Sequence, residues 1–139
     1  MIVMDANAAV AIALGAADGE ALEMLRLPDE RIAAPQLMHA EVAHTLAKYV
    51  RGGYLDASEA VACGQDAIAL VDEFCEDASL WVEALTESAR LGHSSYDLFY
   101  LTLARRLGAT LFTIDKRLQA LCAENGVNSI WLDNDFGNH

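Results

Sequence analysis

Ser94-Ser-Tyr-Asp-Leu-Phe-Tyr-Leu-Thr-Leu-Ala-Arg-Arg-Leu-Gly-Ala-Thr-Leu-Phe-Thr-Ile-Asp-Lys-Arg-Leu118 is the stretch whose reading decides the fold. Ser94 and Ser95 open a predicted helix over Tyr96 to Leu107. Gly108 ends it, because glycine best tolerates the left-handed backbone that follows a helix. Ala109 to Ile114 is rich in β-formers and reads as a central strand. Asp115 then stands between that strand and a predicted helix over Lys116 to Glu124.

The same grammar extends outward in both directions. Met1 to Met4 is a short apolar run that reads as a buried strand. Asp5 follows it, and Ala6 to Ala16 is an alanine-rich helix with Asp5 or Asn7 as its cap. A weaker helix is predicted over Gly19 to Leu27 and a short strand over Arg31 to Ala34. Pro35 suits the first turn of a helix from Gln36 to Val50, stopped by Gly52 and Gly53. A helix from Ala57 to about Ala69 opens at Asp56 or Ser58. Leu70 to Phe74 reads as a strand, Ala78 to Leu91 as a helix ending at Gly92, and Val127 to Leu132 as a last strand. The tail from about Asp133 is polar. Strands alternating with helices through short connections predict an α/β fold with a mostly parallel central sheet flanked by helices.

The 139 residues carry 9 Lys+Arg against 21 Asp+Glu, a formal net charge of −12. One domain spanning 1–139 is the natural reading at that length. Hydrophobic residues make up 54% of the chain, which excludes general disorder. The longest nearly unbroken apolar run, Ala8 to Ala17, falls short of the roughly 20 residues a bilayer needs. No basic segment precedes it, so neither a membrane span nor a signal peptide is expected, and the cytoplasm is the expected location. Cys63, Cys75 and Cys122 form no C-x-x-C pair and read as buried free thiols. Trp81 and Trp131 read as core. The acidic balance argues against a general nucleic-acid coat protein, whose binding leans on a basic surface.

In open sheets, ligands bind beyond the carboxyl ends of the strands. Both strand-ending positions, after Met4 and after Ile114, are aspartate. Asp5 between two buried elements needs a partner, a cap role or a metal. Asp115 is equally readable as a helix cap. Asp97 shares a helical stripe with Tyr100, Leu101 and Ala104, which leaves two readings. Ser94-x-x-Asp97 has capping-box spacing, and a metal is the other reason for an acid on that face. Glu41 lies on a polar stripe with His44 and Lys48, so it is either solvated or lines a cleft.

Other constellations are missing. His39, His44, His93 and His139 show no zinc-ligand spacing and read as surface or locally bonded. No nucleophile elbow, phosphate loop or dinucleotide fingerprint occurs. Tyr96, Phe99 and Tyr100 read as core or dimer surface rather than as a base-stacking platform. Asp133 and Asp135 read as solvated. Four converging carboxylates without basic partners would repel strongly, and such a cluster persists when it binds a hard divalent cation. Mg²⁺ or Mn²⁺ in that position can activate water against a phosphodiester.

At 4–7 (Met-Asp-Ala-Asn), 40–42 (Ala-Glu-Val), 95–104 (Ser-Tyr-Asp-Leu-Phe-Tyr-Leu-Thr-Leu-Ala) and 111–118 (Leu-Phe-Thr-Ile-Asp-Lys-Arg-Leu), the sequence resembles the PIN-domain ribonucleases. The motifs span nearly the whole chain in the family's order, and 96–118 is the most specific part. A stand-alone domain of this size most resembles the VapC toxins of prokaryotic toxin–antitoxin pairs. The resemblance implies that Asp5, Glu41, Asp97 and Asp115 are catalytic and hold Mg²⁺ or Mn²⁺, supported by Asn7 and Thr113. It also implies endonucleolytic RNA cleavage leaving a 5′-phosphate and a 3′-hydroxyl, a cognate antitoxin protein, and a homodimer. An acidic protein still repels RNA as a whole, so positive charge must act locally. Lys48, Arg51, Lys116 and Arg117 are the candidates for phosphate contacts. Two rivals stand beside this reading. One is a PIN-like binding or regulatory module without nuclease activity. The other is a phosphatase with Asp5 as nucleophile, which the Asn at position 7 disfavours because the usual Asp-x-Asp pair is missing.

Overall fold

The computed structural model describes residues 1–130. The Trp131, Asp133, Asp135 and His139 readings therefore lie outside the described residues, as does the end of the Val127 to Leu132 strand. The elements in order are β1 (Ile2–Met4), α1 (Ala6–Leu14), α2 (Ala17–Leu25), β2 (Ile32–Pro35), α3 (Met38–Arg51), α4 (Ala57–Ala69) and β3 (Glu73–Cys75). A 3₁₀ turn (Asp77–Ser79) leads to α5 (Trp81–Leu91), α6 (Ser95–Leu107), β4 (Thr110–Phe112) and α7 (Lys116–Glu124).

The four strands lie in the order β3-β2-β1-β4, and every pair is parallel. Ile2 faces Ile32 on one side and Thr110 on the other. The chain steps outward from β1 to β2 to β3, then returns past β1 to form β4. Its crossovers therefore leave β1 and β4 in opposite directions. That reversal opens a crevice at the carboxyl ends of these two strands, where parallel sheets place their ligands. β1 is wholly buried because both faces of the sheet are covered. Ile2 and Met4 pack with α1, α3 and α4 residues such as Val10, Val42 and Ala67. Val3 packs on the opposite side with Leu98, Leu101 and Leu118.

Local chemistry explains the better-defined ends. Asp5 caps α1, Asp115 caps α7, and Asp56 with Glu59 forms a reciprocal capping box on α4. Gly108 follows α6 in the left-handed region, at φ 60°. At Gly19 a Cβ would stand 2.2 Å from the Ala11 carbonyl oxygen, so α2 reaches α1 only because that position has no side chain. Buried Gln119 donates its amide to the carbonyls of both Thr113 and Ile130, at 2.9 Å each.

Several expectations need correction. β4 closes the row of four named strands, but it still has a neighbour on each side, β1 and the segment at Ser129. Beyond it lies only the bridge from Leu111 to Ser129, which is all of the Val127 to Leu132 strand that the described residues contain. Pro35 ends β2 instead of starting α3, and it pairs in register with Cys75. That placement is allowed because Pro gives up only a donor and keeps its carbonyl. The strand expected at Leu70 to Phe74 forms at Glu73–Cys75. The helix expected from Ala78 starts as the 3₁₀ turn and becomes α-helical at Trp81. Trp81 is 53% exposed, not core, and lies on the outer face of α5 with Val82 and Leu85. Cys63 and Cys122 are buried free thiols, but Cys75 is half-buried.

Candidate active site

Asp5 takes its place because β1 ends under α1. Its Oδ1 accepts the Ala8 N–H at 2.8 Å, and the residue is only 6% exposed. Burial pushes its carboxyl up to about 7. The Thr113 hydroxyl and the Ala8 N–H counter that rise, while Asp97 and Glu41 add to it. Thr113 is itself buried, and its Oγ1 accepts the Asp115 N–H at 3.1 Å. The loop after β4 is thereby tied to the carboxylate after β1.

Glu41 stands in the first turn of α3, half-buried. Burial raises its carboxyl first; the Tyr100 phenol holds it down, and Asp97 and Asp77 push it up again. Yet Glu41 Oε1 and Tyr100 Oη are both buried and neither completes a hydrogen bond among the described residues. An unmet buried acceptor costs about 1–3 kcal/mol, so this oxygen is available to a ligand at little further loss. Burial first, then Glu41 and Asp5, drive the Tyr100 hydroxyl far upward, so it stays protonated.

Asp97 lies in the first turn of α6. The capping-box alternative does not form, since Ser94 makes no side-chain cap bond. Asp97 Oδ2 instead meets His93 Nε2 at 2.7 Å. His93 is thus a locally bonded histidine; its i, i+4 spacing to Asp97 is visible in the sequence, but this pairing was not expected from it. Tyr100, expected as core or dimer surface, has a role for its hydroxyl that this expectation lacks. It is core at 1% exposed, but its hydroxyl reaches the acids.

Asp5, Asn7, Glu41, Lys48 and Asp97 all line one polar cavity of 170 Å³ at the end of β1. His44, from the Glu41 stripe, lines it too, as do Thr45 and Tyr100, neither of which was expected there. Glu41's polar stripe therefore faces a cleft. Asp115 is not among the lining residues. Its Oδ1 accepts the N–H groups of Arg117 at 2.9 Å and Leu118 at 3.4 Å, a capping role. Lys116 and Arg117 are exposed beside it and also lie outside the cavity. Arg51 lines a larger groove of 790 Å³ between α3 and α4. That groove is almost wholly apolar and has no carboxylate on its wall.

Among the described residues no three His, Cys, Asp or Glu side chains form a ready-made metal cage. The donor chemistry nevertheless fits a hard divalent cation. Asp5, Glu41 and Asp97 supply only carboxylate oxygens, two of them are held in a costly environment that a cation relieves, and Glu41 Oε1 lacks a partner.

The comparisons with known proteins agree with this architecture. Among solved structures, the chain is similar to the crystal structure of PAE2754 from Pyrobaculum aerophilum, with 26% identity and a TM-score of 0.68. That match covers 86% of this chain and 77% of the other. No curated protein gives a significant match. The PIN domain model matches residues 2–124, from the first buried strand to the end of α7. With its motifs in order, its parallel sheet and its acids at the switch point, the chain belongs to the PIN-domain family.

Proposed function

We propose that this protein is a metal-dependent endoribonuclease and the toxin of a type II toxin–antitoxin pair. PIN domains are nucleases as a family, and that membership supports hydrolysis of nucleic-acid phosphodiesters. The observation that carries the nuclease reading is the polar cavity lined by Asp5, Glu41 and Asp97. Asp5, Glu41 and Asp97 are the residues that would hold Mg²⁺ or Mn²⁺. The bound ion would supply the Lewis acidity that lowers the pKa of a water and screens the phosphate.

The chain's own residues have separate tasks in this reading. His93 fixes the Asp97 carboxylate through Oδ2 and so sets its direction. Glu41 offers Oε1 to the attacking water and orients it. Tyr100 stays protonated, so its hydroxyl remains a donor open to the water or the substrate beside Glu41. Lys48, on the cavity wall, attracts the phosphate that three acids would otherwise repel. Asn7 accepts the Thr45 hydroxyl at 3.2 Å, which holds the rim. Asp115 is the proposed fourth acid. With Oδ1 on the helix amides, Oδ2 is the oxygen it would offer. Arg51, Lys116 and Arg117 would act outside the cavity, on phosphates further along the strand.

Incubation of the purified chain with total cellular RNA tests the activity. Cleavage to 5′-phosphate and 3′-hydroxyl ends is expected in Mg²⁺ or Mn²⁺ and is lost in excess chelator. Undiminished cleavage in chelator would sink the mechanism. No cleavage under any metal would favour the rival binding module.

The partner reading rests on the resemblance and on the −12 charge, which suits a partner with a basic segment. A cognate antitoxin is expected to bind a homodimer of this chain and suppress cleavage at stoichiometric addition. A neighbouring small protein that binds without inhibiting, or a toxin that stays monomeric at micromolar concentration, counts against it.

A further inference from the structure

A protein of net charge −12 cannot draw RNA in through its phosphates over a broad surface. Among the described residues, Lys48 is the one lysine or arginine lining the polar cavity. Contacts to the bases can add affinity that so few phosphate contacts leave short, and the structure offers a place for one base. A second cavity of 230 Å³ shares Asn7 and Thr45 with the first. The wall between the two is the Thr45 to Asn7 hydrogen bond. The second cavity differs in character: Val10, Leu14 and Ile114 line it, and Tyr49 stands on its wall. It is smaller than a drug-sized pocket of roughly 300 Å³ and upward, and suits one ring system.

Tyr49 is placed as a platform. It is 37% exposed, although it comes from the same helix that buries Val42 and Leu46. The Tyr54 ring meets it edge-on, with centroids 6.2 Å apart and planes at 78°. The Tyr54 N–H donates to the Tyr49 carbonyl at 2.9 Å, which ties the turn back to the helix. One face of an aromatic pair is thus fixed beside an apolar slot, one residue pair away from the carboxylates. Unpaired bases are bound in this way, by stacking on an aromatic face and polar contact at the edge. Asp18 also lines the slot, and its carboxylate can accept an N–H from a base edge.

We propose that this second cavity is a nucleobase subsite, with Tyr49 as stacking face and Asn7, Thr45 and Asp18 as its polar edge. It rests on the nuclease reading above for its place beside the scissile phosphate. The ligand is an unpaired base, so single-stranded RNA is preferred to duplex.

Two measurements on the full chain test it. The first adds the four uncharged ribonucleosides at millimolar concentration, without metal, and follows the backbone amide resonances of Asn7, Thr45 and Tyr49. Nucleosides are expected to shift these three; no shift with any nucleoside overturns the subsite. The second maps cleavage positions in a random single-stranded RNA pool for the parent, Tyr49→Ala, Tyr49→Phe and Tyr96→Ala. Tyr49→Ala should raise KM about tenfold, within the range one base–aromatic stack supplies, and flatten the base preference at one position beside the cut. Tyr49→Phe keeps the ring and should retain both, which separates stacking from misfolding. Tyr96→Ala changes an exposed tyrosine outside both cavities and serves as the control. A Tyr49→Ala protein with the parent's KM and cut preference overturns the proposal. Nucleoside shifts without RNA cleavage by the parent would leave the base subsite standing and remove the nuclease reading instead.

Discussion

Asp5→Asn removes about 10³-fold or more of the metal-dependent RNA cleavage while leaving the protein folded. The two halves of this expectation have different causes. Asparagine caps a helix about as well as aspartate, so the bond to the Ala8 N–H at 2.8 Å survives. The charge does not survive, and neither does a hard anionic ligand at the centre of the acids. A metal's stabilisation of transition-state charge is worth several kcal/mol, and about 4 kcal/mol corresponds to about three orders of magnitude in rate. Initial rates on one RNA in saturating Mg²⁺ make the comparison. A loss below tenfold in a well-folded variant would show that Asp5 only caps α1.

In chelator, the parent protein loses stability as pH rises from about 5 to 8. The sign follows from Asp5, whose carboxyl is raised from 3.8 unfolded to about 7 folded. Between those values the folded state holds a proton that the unfolded state has released. The stabilising contribution is therefore complete below the unfolded value and is lost as pH rises through the folded one. Asp5 is nearly fully buried, so little solvent screening applies, and the shift corresponds to about 4 kcal/mol as an order of magnitude. Glu41 is raised as well and acts with the same sign. Urea midpoints at several pH values in chelator measure the slope. Asp5→Asn should flatten it and gain stability at pH 8, and Mg²⁺ should raise the parent's midpoint most at high pH. A parent that grows more stable from pH 5 to 8, or a slope unchanged in Asp5→Asn, contradicts the burial argument.

What the sequence made legible was local. Met1 to Met4 is apolar without interruption because β1 is covered on both faces, and Asp5 is conspicuous for breaking that run. Lys116 to Glu124 forms as read because Asp115 supplies a cap that needs no distant partner. Asp56 with Glu59 is another self-contained signal. What could not be read depends on strand order and on the facing of helices. A β-rich run such as 109–114 does not say which segments flank it, here β1 on one side and the stretch at Ser129 on the other. Trp81 is large and apolar, but size does not say which face of α5 meets the core. Glu41 was ambiguous because a stripe lining a polar cleft has the composition of a solvated one. Tyr100 shows the reverse: its ring satisfied the core pattern, and its hydroxyl went uncounted.

The two hydrogen bonds donated by Gln119 have a practical reach. One side-chain amide holds both the loop that carries Thr113 and the segment that carries Ile130. Thr113 in turn steadies Asp5. For anyone joining a reporter or affinity tag to this protein, the position of the seam therefore matters. A seam placed before Ile130 takes away one of the amide's two anchors and slackens the loop beneath the acids. A seam placed after it leaves the clasp whole.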